Sequence, residues 1–93
     1  MAINIVYPIN GATYPVTNPA TGALASHYFT SSFSVTHSGD DDVEWGFDDF
    51  TLGKTRFYDM FSLQFVYKLP GGKHKLWVKS GEVTKEVKFK IGA

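Results

Sequence analysis

The stretch that decides the fold class is residues 29–35, which read Phe-Thr-Ser-Ser-Phe-Ser-Val. Large apolar side chains are separated here by hydroxyl side chains with a period of two, which gives an extended strand one apolar and one polar face. Phe and Val also favour strands over helices. The stretch therefore predicts a β-strand with one buried face and a hydroxyl-rich outer face.

The same alternation recurs on both sides of this strand. Further alternating runs begin at Ile3, Val43, Phe61, His74 and Val87. Turns rich in Gly, Pro, Asn, Asp and Ser are predicted between the runs, at 8–11, 18–22, 38–40, 52–53, 70–72 and 80–81. Residues 55–59 are a candidate for a further short strand, and no window has the apolar spacing of a substantial helix.

About seven short strands, with turns every 8–12 residues or so, are typical of a sandwich or a small barrel. Trp45 lies on the third predicted strand, where immunoglobulin-like cores place a large aromatic side chain. We therefore predict an all-β fold: an immunoglobulin-like antiparallel β-sandwich of about seven strands, forming a single domain over residues 1–93. Trp45 is expected to be buried together with Phe33, Phe47, Leu76, Val78 and Phe89.

The composition excludes several classes of function. There is no cysteine among the 93 residues, so disulfide scaffolds, thiolate metal sites and thiol catalysis are excluded. No apolar stretch is long enough for a membrane span, so we expect no membrane insertion. Residues 1–5 lack the basic and apolar regions of a secretory signal, so export would require either a signal outside this sequence or another route.

Charge is balanced in total but not in distribution. The formal net charge is zero, which argues against a nucleic-acid partner. Residues 1–53 carry six acidic and no basic side chains, whereas residues 54–93 carry nine basic and three acidic ones. This asymmetry indicates either internal pairing of the two regions or attraction between copies of the chain.

The predicted binding site lies on the basic face of the last two strands. Alternation places Lys75, Trp77 and Lys79 on the side opposite Leu76 and Val78, and sheet pairing brings Lys88 to the same side. An aromatic ring among lysines suits a glycan, an anionic polymer or a protein partner. The alternative is that Trp77 packs beneath lysine stems or on a neighbouring strand, and that the lysines form a solvated face.

Neither metal binding nor catalysis is predicted. The acidic residues of 40–49 offer carboxylates to calcium, but they lack the spacing of an EF-hand and are equally typical of a solvated turn. His27, His37 and His74 are not spaced as a metal site, and His74 is expected near the core with a local hydrogen bond. No nucleophile elbow or phosphate-binding glycine loop occurs, so we expect no enzyme and no cofactor.

Three segments carry a resemblance to a known family. Residues 5–13 read Ile-Val-Tyr-Pro-Ile-Asn-Gly-Ala-Thr, residues 43–48 read Val-Glu-Trp-Gly-Phe-Asp, and residues 69–78 read Leu-Pro-Gly-Gly-Lys-His-Lys-Leu-Trp-Val. They resemble the first, third and sixth strands of the bacterial immunoglobulin-like accessory domains that are appended to surface enzymes, penicillin-binding proteins and adhesins. The resemblance implies a non-catalytic module of a bacterial or phage surface protein, extracellular or at the cell surface, with a glycan or protein partner.

Two other hypotheses stay open at this point. One is a small structural protein that self-associates through complementary charge. The other is cysteine-protease inhibition, because residues 18–22, Asn-Pro-Ala-Thr-Gly, resemble the Asn-Pro-Thr-Thr-Gly loop of chagasin-type inhibitors. Gly71-Gly72 would then stand for the glycine-rich loop of that family, but its Arg-Pro-Trp element is missing from this sequence.

Overall fold

The computed structural model describes residues 2–14 and 27–92, and within these ranges the fold is all-β. The strands are β1 (Ala2–Tyr7), β2 (Thr13–Tyr14), β3 (His27–Phe47), β4 (Phe50–Leu69), β5 (Gly72–Ser80) and β6 (Val83–Ile91). The described part of the chain contains no helix, and therefore none that could cross a membrane. The predicted all-β class is confirmed, and the described residues form six strands in one curled sheet, where a sandwich of about seven strands was predicted.

All six strands belong to one curled, mixed sheet. One edge of β3 pairs with β4, whereas its other edge is shared by two strands, β1 beside its first half and β5 beside its second half. β6 pairs with β5 in antiparallel fashion, and β2 pairs with β6 in parallel. The sheet thereby curls until β1 approaches β6, which encloses the apolar face.

The strands β3 and β4 form an unusually long hairpin, and two predicted turns fall inside it. The turn predicted at 38–40 is a bulge in β3: Thr36 pairs with Met60 and Asp40 with Tyr58, so three residues face Asp59 alone. Gly39 and Asp59 both adopt positive φ angles there, of 106° and 66°. The glycine therefore bends a continuous strand instead of reversing it.

The turn predicted at 52–53 lies instead at Asp48-Asp49, directly before β4. Asp48 has a φ of 53°, a conformation that Asp tolerates better than most residues. Gly53 lies within β4 opposite Trp45, and a Cβ atom at Gly53 would overlap the Trp45 ring. This glycine therefore makes room for an indole, which a pattern of turn residues cannot distinguish from a true turn.

The core consists of two clusters on the inner face of the sheet. The first contains Phe29, Phe47, Leu69, Leu76, Val87, Phe89 and Ile91, and the second contains Ile3, Phe33, Val35, Val43, Phe57 and Val78. Trp45 faces inward as predicted but is only half-buried, packing on Phe33 and Phe61 in the second cluster. Phe47, Leu76 and Phe89, which were also predicted beside Trp45, belong to the first cluster.

Candidate anion-binding trough

The floor of the candidate site is formed by β5 and β6, where four lysines face one another. In the antiparallel register Lys73 lies opposite Lys90, and Lys75 lies opposite Lys88. Directly opposed residues of a sheet point to the same face, and like charges in that position repel each other. Two adjacent like-charged pairs therefore concentrate positive charge that does not stabilise the sheet.

Two loops flank this floor and make it concave. Along β6, Gly11 donates its backbone N–H to the carbonyl of Lys88 at 2.7 Å, and Lys90 donates to the carbonyl of Ala12 at 3.0 Å. Along β5, the Asp48-Asp49 turn is attached through the Asp48 N–H, which donates to the Lys75 carbonyl at 2.9 Å. The resulting depression holds about 550 Å³. We call it the basic trough; it is lined by Gly11, Ala12, Thr13, Asp48, Asp49, Lys73, His74, Lys75, Lys88, Phe89 and Lys90.

Asp48 fixes one wall of the basic trough with all of its polar groups. Its Oδ1 accepts from the Lys75 backbone N–H at 2.9 Å, and its Oδ2 lies 2.8 Å from Nδ1 of His74. Its backbone carbonyl accepts from Nε1 of Trp77 at 3.1 Å. Since both carboxylate oxygens are engaged within the protein, this acid neither offers a free ligand to a cation nor neutralises the lysines fully.

His74 joins this wall to the turn that precedes β5. Its side chain is only 8% exposed, and its ring packs near Phe89 with a centroid separation of 6.0 Å. Nδ1 contacts the Asp48 carboxylate, and Nε2 lies 2.8 Å from the Pro70 carbonyl oxygen. The two ring nitrogens thus connect the Asp48 turn with the turn that precedes β5. The prediction of a near-core histidine with a local hydrogen bond is confirmed.

The lysines of the basic trough have few acidic neighbours in the described chain. The Nζ atom of Lys75 lies 3.5 Å from an oxygen of Glu86, and both side chains are substantially exposed. An exposed pair of this kind contributes little free energy, at most about 1 kcal/mol. The residues described show no carboxylate within salt-bridge distance of Lys73, Lys88 or Lys90. These three ammonium groups are therefore available to an anionic ligand.

The structure divides the four residues predicted as a binding patch. Lys75 and Lys88 lie opposite each other in the basic trough, as the register argument required. Trp77 lies on the same face but is half-buried, with its indole over Gly46 of β3 and its N–H bonded to Asp48. Trp77 therefore does not line the trough, and its contact with a ligand stays a prediction.

Lys79, the fourth predicted residue, lies in a separate and smaller depression. That depression is lined by Asp41, Asp42, Glu44, Lys54, Lys79 and Gly81, so acidic and basic side chains are mixed there. Beside it, the guanidinium of Arg56 lies 3.8 Å from Asp40 and 3.7 Å from Asp42. Part of the acidic region thus lies beside a basic side chain of the same chain.

The other predicted site elements differ in how far the structure describes them. No group of three or more metal-ligating side chains occurs within residues 2–14 and 27–92. The Asn-Pro-Ala-Thr-Gly motif of residues 18–22 lies outside the described residues. The side chain of His27 is likewise not described, whereas His37 contacts Asp41 at 3.8 Å.

The sequence placed Lys73 and Lys90 on the basic outer face but did not select them as binding residues, and it missed the loop of residues 10–13 altogether. Alternation already placed both lysines on the outer face, but not the register that sets Lys73 against Lys90. The Asn10 side chain accepts from the Lys88 backbone N–H at 2.9 Å and so holds the loop against β6. No sequence signal joins residues so distant in the chain.

The arrangement places several cationic side chains on one concave surface, which suits the binding of an anion. The lysines are exposed or half-exposed on strands, while the carboxylate of Asp48 and the imidazole of His74 are hydrogen-bonded to each other. Comparison of the chain with models of known protein families gave no match, and comparison with curated protein sequences gave none either. The functional assignment therefore depends on the geometry of the basic trough.

Proposed function

We propose that this protein is a non-catalytic immunoglobulin-like module of a bacterial or phage surface protein, located outside the cell or at its surface, and that its basic trough binds an anionic glycan. The observation that carries this proposal is the pair of opposed lysines, Lys73 with Lys90 and Lys75 with Lys88, on one concave surface. Such opposition lowers the stability of a sheet unless a ligand or a counter-ion offsets it.

Several features of the sheet support the immunoglobulin-like part of the proposal. β3 changes its neighbour from β1 to β5 across the bulge at residues 37–39, as a strand does when it passes from one layer of a sandwich to the other. Residues from both halves meet in the core, where the rings of Phe29 and Phe89 stack at 4.9 Å. In this interpretation β1 and the first half of β3 form one layer, and β5, β6 and β2 form the other.

Bonding within the trough wall supports a non-catalytic role. An acid–base residue must reach a substrate proton. In the trough the carboxylate of Asp48 and both ring nitrogens of His74 are engaged with protein groups. The lysines remain as cationic donors, and a row of such donors recognises charge without needing to transfer a proton.

The shape of the site favours an extended anion. The trough is open along the strands, and lysines on one face follow each other at about 6.8 Å, twice the rise per residue. Enclosed small ligands need a deep and closed pocket, whereas this depression is wide open to solvent. A glycan that carries carboxylate or sulfate groups at intervals can contact several ammonium groups at once and leave its other faces in water.

Titration calorimetry with a sulfated oligosaccharide tests this proposal. We expect binding by the wild type that weakens steeply as salt rises, because the contacts are between exposed charges. The double variant K75A/K88A is expected to lose at least tenfold in affinity without a fall in melting temperature, since both side chains lie on the outer face and their mutual repulsion is removed. Lys79→Ala, in the separate depression, is expected to bind as the wild type does.

The matched control is K54A/K68A, which removes two exposed lysines from β4 and changes the net charge by the same amount. An equal loss of affinity in this variant would show a non-specific charge effect and contradict the site. A single-stranded oligonucleotide of similar charge serves as the competing ligand. Tighter binding of the oligonucleotide than of the oligosaccharide would reject the glycan as the ligand class.

A further inference from the structure

One edge of β4 has no partner strand among the described residues. β4 pairs with β3 along one side, and no other described strand pairs with it. An open edge presents a row of unpaired N–H and C=O groups, and soluble proteins usually protect such edges with lysines, prolines or bulges. The open edge of β4 therefore requires an explanation.

The second half of this edge lacks those protective features. Residues 60–67 read Met-Phe-Ser-Leu-Gln-Phe-Val-Tyr, eight residues without a charge, a proline or a glycine. The β3–β4 pairing is regular from Thr36–Met60 to His27–Leu69, and the bulge beside Asp59 lies just before this segment. Uncharged segments with high β-propensity on an exposed edge are the ones that pair with further strands. We call residues 60–68 the β4 edge.

Both faces of the β4 edge carry apolar side chains that the described chain leaves in contact with water. On the outer face Met60 is 63% and Val66 is 56% exposed. On the inner face Phe61, Leu63, Phe65 and Tyr67 are only half-buried, although they pack against the core clusters. A further strand beside β4 would cover all of these side chains, because it would continue both faces of the sheet.

Symmetry selects the register in which a second copy fits. In an antiparallel pair related by a two-fold axis, directly opposed residues lie on the same face of the sheet. The axis must therefore pass midway between one residue and the same residue of the other copy. The centre of the β4 edge is Gln64. With the axis there, Phe61 opposes Tyr67 and Leu63 opposes Phe65, twice each. No like charges are opposed, since Lys68 faces Met60.

We propose that the β4 edge pairs with the β4 edge of a second copy, forming an antiparallel dimer whose sheet continues through both molecules. Nine residue pairs extend over about 31 Å. A single pair of added strands is a small interface, and interfaces below about 1,200 Å² in total are typical of weak and reversible association. This dimer is held by backbone hydrogen bonds and apolar contacts, so salt leaves it intact, in contrast to an assembly driven by opposite charges.

Sedimentation velocity of the whole chain over a wide concentration range, at low and high salt, tests the proposal. We expect the wild type to pass from monomer to dimer with rising concentration at both salt levels. Gln64→Lys and Gln64→Glu place like charges on the two-fold axis, so each variant alone is expected to stay monomeric. An equimolar mixture of the two is expected to form dimers again, because Lys then opposes Glu.

The control is Thr84→Lys, an added charge at an exposed position of β6, which should dimerise like the wild type. Gln64 is exposed, so unchanged melting temperatures are expected for both Gln64 variants. Thr84→Lys places a lysine opposite Lys79, so its melting temperature is expected to fall slightly. A wild type that stays monomeric at the highest concentration overturns the proposal. So does a dimer that survives both Gln64 substitutions, or one that Thr84→Lys abolishes. These results are independent of glycan binding by the basic trough, which lies on β5 and β6.

Discussion

The two tryptophans of the protein lie over glycines of neighbouring strands, but on opposite faces of the sheet. Trp45 of β3 covers Gly53 of β4 on the inner face, where Phe33 and Phe61 lie within 5.7 Å between ring centroids. Trp77 of β5 covers Gly46 of β3 on the outer face, where its N–H bonds to the Asp48 carbonyl. The sequence suggested a core residue and a ligand contact, yet both indoles are half-buried.

The difference between the two regions lies in their partners and not in their exposure. Trp45 is surrounded by aromatic rings, so its contribution is mainly apolar burial and ring contact. Trp77 has a polar connection to the Asp48 turn, which forms a wall of the basic trough. Trp77 therefore holds the Asp48 turn in place without lining the trough itself. Mutation of Trp77 tests the shape of the trough wall more than a direct contact between the indole and a ligand.

Trp45→Ala is expected to have the largest effect on stability. It removes a large ring that packs on Phe33 and Phe61 and leaves a cavity beside Gly53. We expect the free energy of unfolding to fall by about 3 kcal/mol, near the lower limit for a buried Trp because this ring is half-buried. Urea unfolding followed by circular dichroism measures the change, and a loss below about 1 kcal/mol would show that the ring lies in water.

Gly46→Ala is expected to cost about 2 kcal/mol, since it adds an atom to a filled space. A Cβ atom there would overlap the Phe50 carbonyl oxygen and approach the Trp77 ring to 2.7 Å. The Trp77 ring can move away from the added Cβ atom, but the Phe50 carbonyl cannot. The double variant G46A/W77A should therefore keep the part of the stability loss that the clash with this carbonyl causes. A fully stable Gly46→Ala protein would contradict the close packing of β3 against Phe50.

Trp77→Phe is expected to have the smallest effect. The substitution keeps an aromatic ring over Gly46 but removes the N–H that donates to Asp48, at a cost of about 1 kcal/mol. The melting temperature should fall by only a few degrees, with a moderate loss of glycan affinity if Asp48 shifts. A loss of stability as large as that of Trp45→Ala would show that Trp77 contributes to the packing of the fold as much as Trp45 does.

Much of the inner face of the sheet could be predicted from alternation alone. The buried residues Phe29, Phe33, Val35, Val43, Phe47, Leu76, Val78, Val87, Phe89 and Ile91 all occupy the apolar phase of the predicted strands. Period-two patterning determines which face a side chain joins, because a slip by one residue would expose all of these positions. The side of the sheet that each residue faces depends on its near neighbours in the sequence, so this part of the fold could be predicted.

The connections between strands were harder to predict, because glycine occurs in turns, in bulges and beside large side chains alike. Gly39 was assigned to a turn but belongs to a bulge, and Gly53 was assigned to a turn but accommodates an indole. The candidate site was predicted in part for the same reason. Lys75 and Lys88 follow from strand pairing, whereas Asn10 and Asp48 join the site through contacts between distant parts of the chain.

The parallel pairing of β2 with β6 has a consequence for the order of folding. Thr13 and Tyr14 meet Lys90 and Ile91, so this contact closes a loop that contains nearly the whole chain. The β3–β4 hairpin has a two-residue turn and can form within microseconds, whereas pairings across such separations commonly take milliseconds to seconds. During synthesis β2 must also wait until β6 has left the ribosome. The loop that bounds the lysines is therefore expected to take its place last.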